Sequence, residues 1–526
     1  MTPASSQMLK SSGAVGAATL TSRVLGLVRE MAYAAFMGEK WVAGAFLFAF
    51  VIPNLFRRLL GEGALTAAFI PIFKEKEKLA GEKEMWRAAN AVVSGLAIVV
   101  SAITVLAVAI ISIALWIGVK NGQTHLMLQL LRIMFPYVLL VCLAAIFMGM
   151  LNARGHFFVP AMGASLLNVV MIGSVFLLAP RMGPRLEDQI FGLAIGVLIA
   201  GFVQAAFQLP LLNREGFRYA WISPWKDETV LRVARQMIPA AVGVAAYQVN
   251  VLVTYGIAFK INPGIVASFN YAVRLMELPQ GLFGISLATY LLPALSGLAA
   301  EKKFPEFRRT LGDGLGYLAF LNSLAAVLLI VLAEPIVRLL FERREFDEFA
   351  TARTSLALAY LAPGLVAFSM VNILARAFYA LTDTRTPMRI ALFCLTLNIL
   401  LTFALIWRFR QAGLGMANTI TGFCNMALLL YALRRKLGRL DLRVLLGQMP
   451  PILGGAILAG GAAWWISRVW EAHAGHATLL LRIGAVFLPM AAAGVLYYGV
   501  TLRWKVRYAE ETLGLFLGKL RKLRGV

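Results

Sequence analysis

The chain has little charge, little acid, and almost no cysteine or histidine. Asp, Glu, Lys and Arg together make 14% of 526 residues, where soluble domains carry about 25%. The longest polar stretches run to roughly 15–25 residues, too short for a soluble domain beside the apolar segments. With 60% hydrophobic residues and a mean hydropathy of +0.77, this composition is that of a polytopic membrane protein. The three cysteines (Cys142, Cys394, Cys424) lie in apolar segments and make no disulfide framework. The four histidines (His125, His156, His473, His476) fall near helix ends or in loops and resemble neither a metal nor a catalytic set. No Walker A loop occurs, which argues against ATP hydrolysis, and no nucleophile stands beside a base. No enzyme, cofactor or metal is therefore expected.

What is abundant is base. Fifty Lys and Arg against 26 Asp and Glu give a net charge of +24. In a soluble protein that balance would suggest nucleic acid. Here the basic residues gather in short loops, which is a topology signal rather than a nucleic-acid footprint. A spanning helix needs about 20 apolar residues. Fourteen segments qualify, at about 13–37, 42–73, 88–118, 126–151, 158–179, 189–212, 232–259, 265–298, 310–340, 351–380, 387–407, 412–433, 447–468 and 478–502. The first carries Arg23 and Arg29 and runs on into the fold, so it reads as a spanning helix and not as a signal peptide. Lys and Arg are roughly threefold more frequent in loops on the N-terminal side than on the other, which predicts both termini in the cytoplasm. The tail after Thr501 is basic and amphipathic and reads as a surface-lying helix.

Three prolines recur at nearly one spacing. Pro53 pairs with Pro279, 226 residues on, and Pro136 with Pro363 and Pro160 with Pro387, 227 on. The offset equals six spans, so the halves are expected to be parallel, pseudo-symmetric six-helix lobes, 1–229 and 230–440. Spans thirteen and fourteen (441–503) are an addition, followed by the basic tail 504–526. Parallel repeats commonly place a transporter's substrate site at their interface.

Arginines sit inside these apolar spans. Arg23 and Arg29 fall in the first, Arg57 and Arg58 in the second, Arg274 in the eighth. A charge at mid-bilayer costs roughly 2.5–3.5 kcal/mol on insertion scales. Five of them imply a polar, watery cavity, and a cationic cavity suits an anion. Arg23 lies about 15 Å into its helix, beyond snorkelling range. Arg29 is about 12 Å from the outer end and either lines the cavity or snorkels, with Glu30 as a possible counter-charge. Arg58 and Glu62 are spaced i,i+4, and Arg274 and Glu277 i,i+3, so each pair can also be a structural ion pair. Pro53, Gly61 and Gly63 in one half, and Pro279, Gly281 and Gly284 in the other, mark bent helices there. Guanidinium forks onto phosphate oxygens in bidentate fashion. Asn and Gln in the spans, including Asn168, Gln204 and Gln208, are expected to bond across helices.

The segments SRVLGLVRE, AFVIPNLFRRLLGEGALTAAFIPIF, RLMELPQGLFGISLATYLLPALS and FYALTDTRTP resemble the MurJ (MviN) family, flippases for the peptidoglycan precursor lipid II. The likeness extends over essentially the whole chain. It implies an all-α exporter fold of two six-helix lobes around a central cavity, plus two C-terminal helices whose groove holds the lipid tail. It carries Arg23, Arg29, Arg57 and Arg274 over as ligands of the diphosphate, and Glu62 and Glu277 as acidic partners without an assigned role. It implies lipid II and membrane lipids as partners, with other cell-wall synthesis proteins possible, in the bacterial cytoplasmic membrane. A flippase for another polyprenyl-diphosphate-linked glycan and a non-transporting cell-wall scaffold are the alternatives. Two departures stand out. Many members carry Asp where this chain has Gly44, so Gly44→Asp is expected to be tolerated. Some bind Na⁺ through carboxylates where this chain offers Asn250, Asn398 and Thr402, so no tight Na⁺ site is expected.

Overall fold

The structure is a computed structural model and describes residues 21–61, 64–225, 227–438, 440 and 443–514. Helices account for nearly all of these, and no strand occurs among the described residues. Residues 21–37 form α1, followed by α2 (Trp41–Phe56), α3 (Ala64–Ile117), α4 (Gly122–Met134), α5 (Tyr137–Ala153), α6 (Phe158–Gly173), α7 (Leu186–Ala206), α8 (Leu209–Arg214) and α9 (Glu228–Ile261). Then come α10 (Pro263–Pro279), α11 (Ser286–Ala300), α12 (Phe304–Val331), α13 (Ala333–Phe341), α14 (Glu348–Leu361), α15 (Gly364–Ala380), α16 (Arg385–Leu437), α17 (Arg443–His473) and α18 (Leu479–Arg503). A short helix over 507–514, α19, follows.

Ten described helices are long and apolar enough to cross a membrane, or eleven when the bent pair α14 and α15 counts as one span. The count is lower than the fourteen expected spans partly because helices merge. The 53-residue α16 contains two expected spans, divided at Arg410, whose φ of 48° breaks the helical path. Gly413 lets the two halves fold back, since a Cβ there would lie 2.7 Å from the Leu405 carbonyl oxygen. Likewise α3 turns at Gly81, where φ is 83°. That value favours glycine.

The chain forms two compact units, one ending at Ala267 and the other beginning at Ser268. α9 packs along α3 and α2 within the first. Each unit repeats the same local devices. Pro136 precedes the 17-residue α5, and Pro363 precedes the 17-residue α15. The next helices begin at Phe158 and Arg385, again 227 residues apart. Pro53 leads into a π-helical turn at Arg57–Gly61, and Pro279 into another at Gln280–Ile285. A proline removes one backbone donor, and the wider π turn takes up the displaced ladder.

The first unit's core holds an aromatic chain, Phe69–Phe73–Trp86–Phe217–Phe147, with ring centroids 5.2–6.1 Å apart. Arg154 closes one end of the unit by pairing with Glu77 (2.5 Å), Glu82 (3.1 Å) and Glu215 (2.8 Å). The bond from Arg154 and a second from His156 hold the Glu215 carboxyl below the usual carboxylate range. In the second unit α15 buries Met370, Ile373, Leu374, Ala377 and Phe378 against α11, α12 and α16.

The α17–α18 hairpin is fastened to this second unit at both ends. Arg338 pairs with Glu471 (3.2 Å) and Arg482 with Glu342 (3.2 Å) at one end. At the other, Arg507 pairs with Asp313 (2.9 Å) and the Tyr497 hydroxyl donates to the Phe320 carbonyl (2.8 Å). Tyr508 fills the space over Gly316, where a Cβ would lie 1.9 Å from its ring. The start of the tail is therefore docked on protein, where its sequence suggested only a surface-lying helix.

The FYALTDTRTP motif has a structural explanation in its Asp383. The carboxylate accepts from the Thr386 amide (3.0 Å) and hydroxyl (2.9 Å) and pairs with Lys436 (2.7 Å), fixing the turn into α16. The Lys436 ammonium, with the Thr386 donors, holds the carboxyl down to about 2. A depressed carboxylate pKa stabilises the fold above the unfolded value of about 3.9, and that gain is lost as pH falls through the folded value. Asp383→Asn is expected to lower the melting temperature of purified protein at pH 7, by the equivalent of about 1 kcal/mol or less. The gap from wild type should narrow below pH 4 and close near pH 2. A gap that stayed constant with pH would assign the effect to something other than this charge.

Candidate functional site: arginines in apolar helices

The structure sorts the candidate residues into three kinds. Arg23 is partly exposed on α1 and has no hydrogen-bond or ion-pair partner among the described residues. Arg29, two turns on, is pinned. One Nη donates to the Glu30 carboxylate (2.5 Å), the other to Asn168 Oδ1 on α6 (3.0 Å), and the guanidinium lies 5.5 Å from the Tyr33 ring centroid. Its side chain is 13% exposed and that of Glu30 only 3%. Asn168 also donates to the Ser22 carbonyl (3.0 Å), so one carboxamide spans two turns of α1. Cross-helix bonding of the polar spans holds here, and again for Gln204 to the Gly163 carbonyl (2.9 Å) and Gln208 to the Ala144 carbonyl (3.0 Å).

Arg57 opens the π turn and donates through Nε to Asn54 Oδ1 (2.8 Å). Its i−3 spacing to Asn54 is readable in the PNLFRR string, though it was not among the expected partners. Arg58 lies on the same turn, partly exposed, and Gly61 ends it. Glu62 and Gly63 fall outside the described residues, and with them the expected Arg58–Glu62 pair.

In the second unit Arg274 pairs with Glu277 (2.8 Å), as their i,i+3 spacing predicts. This pair is not enclosed by protein: the side chains are 36% and 46% exposed. Pro279 then ends α10, and the π turn that follows contains Gly281 and Gly284. Gly284 permits close approach of α15, since a Cβ would lie 2.8 Å from Ser369 Oγ. α15 also carries Arg376, a partly exposed cation in an apolar span that the sequence reading passed over. The S-x2-N-x3-R spacing of Ser369, Asn372 and Arg376, one helix face, was the signal for it.

A family model described as "Lipid II flippase MurJ" matches residues 33–484. A protein of Vibrio cholerae serotype O1 named probable lipid II flippase MurJ is 35% identical over 526 aligned positions, covering 95% of this chain and 98% of its own. The chain belongs to the MurJ family. A Burkholderia cenocepacia lipid II flippase MurJ is 32% identical over 504 positions, 93% of this chain and 96% of that protein. Among solved structures, a lipid II flippase MurJ in an inward closed conformation superposes with a TM-score of 0.74 at 23% identity, over 92% of this chain and 98% of that one. An inward-facing multidrug resistance MATE transporter of the MOP superfamily gives 0.65 at 15% identity, over 79% and 94%. These two likenesses show the fold. The chain is accordingly a multi-pass membrane protein of this architecture.

One departure from the family pattern now reads differently. Gly44 lies buried on α2 against the start of α10. A Cβ there would lie 2.0 Å from the Pro263 carbonyl oxygen and 2.5 Å from its carbon. The obstacle is backbone, which cannot rotate away. The expected tolerance of Gly44→Asp is overturned: no side chain fits, least of all a carboxylate facing a carbonyl oxygen. The same rim is close-packed throughout. A Cβ on Gly264 would sit 2.9 Å from the Glu39 carbonyl oxygen, and Phe48 stacks on Phe259 at 5.2 Å.

Proposed function

We propose that the chain flips lipid II from the inner to the outer leaflet of the bacterial cytoplasmic membrane, by alternating access and not by catalysis. One observation carries the reading: in a chain that belongs to the MurJ family along almost its whole length, α1 holds an arginine, Arg23, inside an apolar segment and without a partner among the described residues. A guanidinium in such a place is stable only beside water or an anion, and the diphosphate of a polyprenyl-linked glycan is an anion of fitting geometry. Arg23 binds the diphosphate. Arg57 and Arg274 assist it, their directions set in part by Asn54 and Glu277. Arg29 acts from behind, through Glu30 and Asn168, setting the pose of α1. Arg58 and Glu277 serve as structural or gating partners. The prolines and π turns supply bends at which each half can change shape. The lipid tail remains in the bilayer along α17 and α18. Both termini face the cytoplasm, and other cell-wall synthesis proteins are the expected neighbours.

Rescue tests this reading. Expression in a bacterium depleted of its own lipid II flippase should restore growth and cell shape. Normal membrane insertion without rescue would contradict lipid II as the substrate and favour another polyprenyl-diphosphate glycan or a non-transporting role.

A further inference from the structure

We propose that Arg376, with Asn372 one turn before it on α15, is a further binding position for the substrate's anionic group, at the end of the span that the charge bias assigns to the cytoplasm. The proposal rests on the flippase reading and extends it to a residue that nothing above places in the site.

The helix itself supplies the argument. One face of α15, with Met370, Ile373, Leu374, Ala377 and Phe378, is buried in the core. The stripe beside it is polar: Ser369, Asn372 and Arg376, with Tyr379 at its edge. Ser369 packs on Gly284 of the π turn that follows Arg274. The stripe thus borders the turn that follows α10, the helix that carries Arg274. Asn372 and Arg376 are both partly exposed, and neither has a hydrogen-bond or ion-pair partner among the described residues.

Asn372 decides what that exposure means. It lies eight residues from Ala380, about 12 Å along the helix axis. A carboxamide at that depth without a protein partner faces water, because hydrocarbon would leave its donors and acceptors unsatisfied. Arg376 shares this wet face four residues closer to the basic loop. A cation there, with no ion-pair partner among the described residues, is open to an anion. An arriving diphosphate meets Arg376 before Arg274, which stands ten residues before Gly284 on α10, toward the opposite end of the membrane.

Two measurements test it. In a functional chain whose three native cysteines are replaced by alanine, Asn372→Cys should react with a membrane-impermeant sulfonated thiol reagent added from the cytoplasmic side. Added lipid II should slow that reaction. Absence of labelling from either side would place the stripe against lipid or protein and overturn the proposal. In proteoliposomes, Arg376→Gln should raise the lipid II concentration for half-maximal flipping about tenfold, leave the maximal rate near wild type, and be largely restored by Arg376→Lys. An unchanged half-saturation would also overturn it, as would a defect seen in vesicles with anionic lipid and absent in phosphatidylcholine alone, which would mark Arg376 as a headgroup anchor. Wild-type chain run in parallel separates the two claims, since failure of wild type to flip lipid II removes the flippase reading itself.

Discussion

Gly44→Asp abolishes rescue of a flippase-depleted strain and lowers the amount of folded protein, and Gly44→Ala does the same more mildly. The reason is geometric. Any β-carbon at this position falls within 2.0 Å of the Pro263 carbonyl oxygen, so either α2 or the start of α10 must move. Overpacking typically costs about 1–3 kcal/mol when side chains can yield. Here the obstacle is main chain, and alanine is expected at the upper end of that range. Aspartate adds an unpaired buried carboxylate, which costs several kcal/mol more. Fluorescence-detected size exclusion and thermal melting in detergent read the folding defect. Full growth with Gly44→Asp at wild-type abundance would show that the two segments do not meet as described.

Arg23→Ala slows transport roughly 10- to 100-fold and leaves the protein folded. Because Arg23 has no partner among the described residues, truncating it strands no acid among them. A lost charge-assisted contact to the diphosphate is worth about 1.5–3 kcal/mol, or roughly 10- to 100-fold in flipping. Arg29→Ala behaves differently. It removes the guanidinium that donates to Glu30, whose side chain is 3% exposed, and breaking a buried pair costs about 3–5 kcal/mol. That variant is expected to lose abundance as well as activity, and Arg29→Ala with Glu30→Gln to recover abundance alone. The contrast is the check. Equal abundance for both single variants would mean that Arg29 is as free as Arg23.

The parts of this architecture that depend on nearby residues were legible in the sequence. Apolar run lengths gave an all-helical, multi-pass chain, in which ten or eleven helices stand out as spans among the described residues against the fourteen expected, and the proline spacing anticipated matched helix starts at Tyr137 and Gly364. The i,i+3 spacing of Arg274 and Glu277 gave their ion pair. Contacts between residues distant in the chain were not legible. Gly44 looked like a lost functional group because the reason for a glycine, Pro263, lies more than two hundred residues away. Asn168 binding both Ser22 and Arg29, and Tyr508 seated over Gly316, are hidden for the same reason. Arg376 was missed on different grounds: its span is otherwise apolar, and a lone arginine four residues from a helix end looks like an ordinary snorkelling anchor. The proposal of a wet face rests on Asn372, one turn deeper and partly exposed.

The account stands on an accessible cation meeting the substrate's diphosphate, and transport of fluorescent lipid II in proteoliposomes measures this most directly. Wild-type protein should move the label across the bilayer. Arg23→Ala, reconstituted to the same density and melting at the same temperature, should do so at least about tenfold more slowly. Indistinguishable rates for the two proteins would contradict the account.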